Sequence, residues 1–262
     1  MSEMTPLDLA HAAMEAAPDD DSVRLAFYER LADAELYLLL ESEAIGEDVT
    51  PQTFDAGVQE IVLVFDRAER LTAFTGEAAP YVAVSGRAIA QMLDGQSLGM
   101  GLNLEVAPSS FLLPAEGVEW LADTLGHAPD EVEAHIEEVA APKGLPETLI
   151  GAIDTKLATA TGLALSAYLV GVTYQGGAKG HMLAFVGAQP GAEDALAQAA
   201  GEALTFSGIE AGAMDVGFFD GNDPITPRLS RVGLRFDLPQ PADVTLERAA
   251  PGSDPAKPPI LK

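Results

Sequence analysis

The run Ser166-Ala167-Tyr168-Leu169-Val170-Gly171-Val172-Thr173-Tyr174 is apolar, β-branched and aromatic, and His181-Met182-Leu183-Ala184-Phe185-Val186 repeats that character a few residues later. Between them, Gln175-Gly176-Gly177-Ala178-Lys179-Gly180 supplies the glycines that a hairpin connection requires. Two strands over 165–174 and 181–188 are therefore expected. Working outward, Leu149, Ile153, Leu157 and Ala160 recur at helical spacing, which predicts a helix over 146–160. Pro190-Gly191 breaks the chain before an alanine-rich helix running to about residue 204. Strands are expected again at 214–219 and 231–238. The order is helix, strand, strand, helix, strand, strand.

Upstream the elements are shorter. Thr5-Pro6 is a cap followed by proline at the first helical position, opening a helix over 7–16. Val23, Ala26, Phe27, Leu31 and Ala34 carry a second helix, preceded by Asp19-Asp20-Asp21 where negative charge suits a helix N-terminus. Strands are expected at 35–40 and 60–65, with further candidates at 81–84 and 102–106. Short helices fill 68–74 and 86–93, and Pro114 opens another with Val118, Leu121, Ala122 and Leu125 on one face. The fold class is α+β (mixed α/β), built as two small α/β domains joined by a short linker.

Charge divides the chain in the same way. All 262 residues carry a net −27, but residues 1–139 hold 28 acidic and five basic side chains, a net of −23, leaving only −4 for the rest. The step falls at the breaker-rich Ala140-Ala141-Pro142-Lys143-Gly144. The expected domains are 1–139, 140–238 and a tail over 239–262. Six of the 18 prolines fall in that tail, which is expected to be mobile. The acidic balance argues against nucleic acid and anionic membranes as partners. The absence of cysteine removes thiolate catalysis and Cys-ligated metals. No leader or spanning segment is legible, so the expected address is the cytoplasm.

Candidate chemistry is sparse. Thr205 stands where a Gly-x-Ser-x-Gly elbow needs its first glycine, and His11, His127, His135 and His181 match no catalytic or zinc spacing. The histidines worth watching are His135 and His181, which an enzyme would have to bring to a cleft with carboxylates and a hydroxyl. Glu131, His135 and Glu138 would share one helical face and could clip a divalent ion, but a solvated acidic face explains them better. Asp220-Gly221-Asn222-Asp223-Pro224 lacks the spacing of a calcium loop and reads as a turn. Gly95, Gly99 and Gly101, and the Lys179 cluster, form no phosphate loop. No catalytic, cofactor-binding or metal residue is assigned, and no cofactor is expected. The basic group Arg228, Arg231 and Arg235, the last two expected on one strand face, joins Asp220, Asn222 and Asp223 as the candidate contact surface. The aromatics Phe27, Tyr28, Tyr37, Phe65 and Trp120 read as core.

Phe27-Tyr28-Glu29-Arg30-Leu31 and Ala34-Glu35-Leu36-Tyr37, then Val62-Leu63-Val64-Phe65, Glu69-Arg70-Leu71, Leu102-Asn103-Leu104 and Leu113-Pro114, together resemble the N-terminal domain of the SseB family. Leu145-Pro146, Ala167-Tyr168-Leu169 and Met214-Asp215-Val216 before Asp223-Pro224 look like the family's C-terminal domain. The resemblance spans about residues 22–237, with Leu104-Glu105 departing from a proline and small residues. It implies a cytosolic bacterial protein of the enhanced-serine-sensitivity type, with no established catalytic residues. The function expected is non-enzymatic binding or regulation through another protein, of basic charge. The alternatives are an effector-binding regulator of serine-related metabolism and an enzyme with an unrecognised site.

Overall fold

The computed structural model describes residues 4–44, 46, 49–126, 135–209 and 214–241. Most of the expected tail, from residue 242, lies outside these residues, as do His127 and Glu131.

Helix α1 (Pro6–Ala16) starts where the Thr5-Pro6 signal places it: the Thr5 side chain accepts from the Asp8 N–H while the Asp8 carboxylate accepts from the Thr5 N–H. Asp20 caps α2 (Asp21–Asp33) through the Ser22 N–H. The first sheet has the order β4-β1-β3-β5-β6, with β2 also pairing β3. Its strands are β1 (Glu35–Leu39), β2 (Thr53–Asp55), β3 (Glu60–Phe65), β4 (Tyr81–Ser85), β5 (Gly99–Leu102) and β6 (Phe111–Leu113). Only β3 and β5 run parallel within it. Strand β3 is buried from Ile61 to Phe65 because both faces of the sheet are covered there. Helices α1, α2, α4 (Gly86–Leu93) and α5 (Ala115–Gly126) pack one face with Phe27, Leu31, Ile89 and Leu121. Helix α3 (Ala68–Thr75) covers part of the other through Leu71 and Phe74. Where α4 crosses α2, a Cβ on Gly86 would lie 2.0 Å from the Leu31 carbonyl oxygen, so only glycine allows this approach.

The expected strand at 102–106 differs: β5 ends at Leu102, and Asn103 and Glu105 take positive φ of 48° and 62° in the turn that follows. Asn103 is held there by its own side chain, which accepts from the Asp66 N–H and donates to the Ser109 hydroxyl. Strands β2, β6 and β7 (Ile136–Ala140) are too short or too polar to carry a readable alternation.

The second sheet comprises β8 (Ser166–Tyr174), β9 (Lys179–Val186), β10 (Met214–Phe219) and β11 (Leu234–Asp237) in the order β10-β9-β8-β11, with β7 also on β8. The hairpin of β8 and β9 forms as expected, with Leu169 opposite Leu183. Strand β10 runs parallel to β9. Helices α6 (Glu147–Leu157) and α7 (Glu193–Phe206) pack one face through Leu149, Ile153, Leu196 and Ala203. Helix α8 (Thr226–Val232) packs the other through Leu229. The division at 139/140 runs through β7, whose residues pair with Gly171–Tyr174 in the second sheet.

The two halves meet along α2, α4 and α5 on one side and α6 and α7 on the other. Phe206, at the end of α7, is 1% exposed and belongs to the first half's core, edge-on to Trp120 at 6.3 Å. Burying such a ring contributes about 2–3 kcal/mol. The Gln198 side chain donates to the Leu125 carbonyl at 2.7 Å across the same seam.

Candidate functional site

Three groups of polar side chains organise the surface and the seam. The first closes the seam. Lys156 of α6 reaches Asp33 at 2.7 Å, Glu202 of α7 at 2.8 Å and Glu29 at 3.6 Å. Arg87 of α4 grips Glu202 with two bonds of 2.6 and 2.8 Å and Asp33 at 3.2 Å. Burial would raise the Glu202 carboxyl, but Arg87 and Lys156 outweigh it and hold the group below its ordinary range. Glu29 is the exception: burial pushes its carboxyl up, Asp33 adds to this, and Lys156 only partly offsets it. Its Oε1 is buried without a hydrogen-bond partner among the described residues. Three carboxylates thus face two cations.

The second group sits where the parallel strands β3 and β5 end. Arg70 donates to Asp8 at 3.0 and 2.5 Å and to Asp66 at 2.8 Å. Ser109 donates to Asp8 at 2.6 Å and accepts from the Asn103 amide at 2.9 Å, while Asn103 Oδ1 accepts from the Asp66 N–H. Thr5 donates to Asp66 at 2.6 Å. The carboxyl ends of parallel strands often carry ligands in open α/β sheets. Here that position is filled by the chain's own side chains, which bind α1 to the sheet. Burial alone would raise Asp8, yet bonds from Arg70, Ser109 and the Thr5 N–H hold it well below the carboxylate range.

The third group is half-buried at Tyr37 and exposed at Tyr81. Tyr37 of β1 and Tyr81 of β4 meet edge-on at 5.3 Å on the sheet face opposite the four helices. Burial raises the Tyr37 hydroxyl's pKa, and Glu35, Tyr81 and Glu69 raise it further. Of the first half's five arginines, Arg70 and Arg87 face interior carboxylates and Arg24 pairs with Asp21 at 2.7 Å. The exposed carboxylates, among them Glu35, Glu41, Glu43, Glu60, Glu69 and Glu77, keep most of the half's negative charge at the surface.

The sequence-derived candidates scatter. Asp220, Asn222 and Asp223 form the turn between β10 and α8, closed by the Asp223 N–H on the Asp220 carbonyl at 3.0 Å. Arg228 and Arg231 lie on α8, whereas Arg235 lies on β11 (Leu234–Asp237). The expected shared strand face of Arg231 and Arg235 is therefore corrected: Pro227 starts a helical turn, and Gly233 ends it before the strand begins. Arg235 pairs with Asp237 at 2.6 Å, and Arg228 reaches the Glu137 carbonyl at 3.4 Å. The helix expected to align His135 with Glu138 is also corrected, since Glu138 lies on β7. Among the described residues no group of three His, Asp or Glu side chains is arranged to hold a metal ion. His181, on β9, contacts the Lys143 carbonyl, while His135 precedes β7 on the opposite side of β8. His11 is buried between Phe27 and Phe111. Of the expected core aromatics, Phe27 and Phe65 are fully buried, while Trp120 is 38% exposed.

These features define a two-sheet mixed α/β protein whose first unit is a helix-covered, largely antiparallel sheet with one parallel pair. The model of the SseB protein N-terminal domain matches residues 9–120, so the first half of the chain is similar to that domain. The match runs from α1 into α5 and includes Glu29, Arg70, Tyr81 and Arg87, while Asp8, Lys156 and Glu202 fall outside it. No curated protein and no solved structure matches the chain significantly. Among the described residues, no helix is long and apolar enough to cross a membrane.

Proposed function

We propose that this chain is a non-enzymatic binding protein of the bacterial cytoplasm that recruits a basic protein partner through its acidic first half. One observation carries the reading. The first half holds 28 acidic and five basic side chains, and Arg70 and Arg87 are turned inward onto Asp8, Asp66 and Glu202. The outward field is that of exposed carboxylates, which steers a basic partner over distances of about one Debye length, roughly 8–10 Å in physiological salt. The second half contributes rigidity: Phe206 and the Lys156 cluster fix α2 and α4 and so hold the sheet that presents this surface.

The test is affinity capture of the tagged chain from native lysate at about 50 mM and about 500 mM salt, with mass spectrometry of the eluate. A stoichiometric basic protein retained at low salt and lost at high salt is the expected result. A stoichiometric partner held equally at both would overturn the electrostatic reading.

A further inference from the structure

Strand β4 is an edge strand whose free side meets no other strand among the described residues. Its backbone is legible in detail. The Leu40 N–H donates to the Pro80 carbonyl, and the Gly86 N–H donates to the Ala34 carbonyl. Bonded pairs alternate along an antiparallel ladder, so Val82 and Val84 bond to β1. Tyr81 and Ala83 therefore turn their N–H and C=O groups away from the sheet. Edges of this kind are usually blunted by charge, proline or a covering element. Tyr81-Val82-Ala83-Val84-Ser85 contains no charge and no internal proline.

The outer face of this edge has a defined relief. Register places Glu35 beside Ser85, Tyr37 beside Ala83 and Leu39 beside Tyr81. Ala83 and Ser85 are small, so the side chains of a strand added beyond β4 can lie across them. One opposite Ala83 would reach the Tyr37 ring, and one opposite Ser85 would reach the Glu35 carboxylate. Strands are about 4.8 Å apart, so a lysine or arginine two strands from Glu35 spans the gap with its stem over the small residues. Tyr81, 48% exposed, offers a ring face for a further cation. Glu69 is exposed on α3, which packs on the same face as Tyr37 through Leu71 and Phe74, and adds a second carboxylate.

We propose that β4 is a docking edge for an extended segment bearing lysine or arginine at alternate positions. The segment adds a strand at Tyr81 and Ala83 and lays its cations over Tyr37, Tyr81 and Glu35. Main-chain bonds give the affinity of this mode, and the alternate side chains give its selectivity. The proposal rests on the reading that the partner is basic, and it names the surface that receives it. A second copy of the chain is a poor occupant, because two halves each of net −23 would be brought together.

The probe is a labelled seven-residue peptide alternating lysine and valine. The control has the same composition with its lysines contiguous, and binding is followed by fluorescence anisotropy at low salt. The alternating peptide is expected to bind about 10-fold tighter than the control, because only it can pair and present its cations on one face. Ala83→Pro removes an outward N–H that no β1 group uses, a position where edge strands accept proline, and is expected to weaken binding about 10-fold. A Glu35→Gln, Glu69→Gln double variant, which leaves the backbone untouched, is expected to weaken it about 5-fold. Unfolding midpoints check that each variant is folded. If Ala83→Pro fails to fold, the double variant and the peptide comparison decide. Equal binding of both peptides, or no loss in the double variant, overturns the docking edge. So does self-association through β4 that Ala83→Pro abolishes. A captured partner that is lost at high salt but indifferent to Ala83→Pro would leave the basic-partner reading standing and remove only the edge.

Discussion

Replacing Glu29 with glutamine should stabilise the protein at neutral pH. Glu29 sits in the seam with Asp33, Lys156, Glu202 and Arg87, three carboxylates against two cations, and its buried Oε1 lies 3.6 Å from the Lys156 ammonium without a hydrogen bond among the described residues. Its carboxyl is shifted upward, first by burial, so the attraction of Lys156 fails to offset the cost of keeping the charge there. Lys156 keeps Asp33 at 2.7 Å and Glu202 at 2.8 Å in the variant, so no cation is orphaned. A buried unsatisfied acceptor costs about 1–3 kcal/mol. Glutamine removes the charge and adds an N–H₂ donor facing two carboxylates, so a gain of about 1 kcal/mol is expected, or roughly 2–4 °C in Tm for a chain of this size.

The pH dependence of that gain is the sharper test. With a folded pKa above the unfolded value, the native state binds the proton more tightly, and stability falls as pH rises through the folded pKa. The difference between wild type and Glu29→Gln should be present near pH 7 and shrink toward pH 4–4.5, about where the unfolded glutamate also protonates. Urea denaturation at several pH values measures it. A loss of stability near pH 7, or a difference unchanged with pH, would refute the argument that ionised Glu29 is unfavourable in the seam.

Other substitutions probe the same architecture. Phe206→Ala should cost about 3–5 kcal/mol and loosen both halves together, read as one shifted transition by near- and far-UV dichroism. Gly86→Ala should cost at least about 3 kcal/mol, because its Cβ would meet a backbone oxygen at 2.0 Å, and a near-neutral result would contradict the tight crossing of α2 and α4. Asp8→Asn should cost about 3–5 kcal/mol near pH 7 by breaking a buried pair. Because the Asp8 carboxyl is held low, its contribution is present above the unfolded aspartate pKa, near pH 4, and is lost as pH falls below it. Wild type should therefore lose stability in acid faster than Asp8→Asn.

The elements with strong local signals were legible. The glycine-rich turn after Tyr174 and the apolar runs on either side specify the β8–β9 hairpin, and Thr5-Pro6 specifies the start of α1. Helix α8 was not, because Arg228, Leu229 and Arg231 within so short a segment carry no periodicity, and its proline reads equally as a turn. Strand β7 was hidden by Glu137 and Glu138, which face solvent on a strand organised by its pairing with β8 and by packing against α8. Neither ion cluster could be found from spacing. Lys156 and Asp33 are 123 positions apart, and Arg70 and Asp8 are 62 apart. A weak signal existed, since few cations in an acid-rich segment are strong candidates for structural pairs. Tyr37 reads as core because strand alternation cannot tell a helix-covered face from one that is only partly covered, and nothing in the spacing pairs it with Tyr81.

In the proposed function the acidic first half attracts its partner through charge. The most direct test is the association rate of the captured partner as a function of ionic strength, followed by stopped flow. The rate should fall steeply between about 20 and 300 mM salt while the dissociation rate changes little, and the fall should flatten when exposed glutamates of the first half are replaced by glutamine. An association rate independent of salt would rule out electrostatic attraction by the first half.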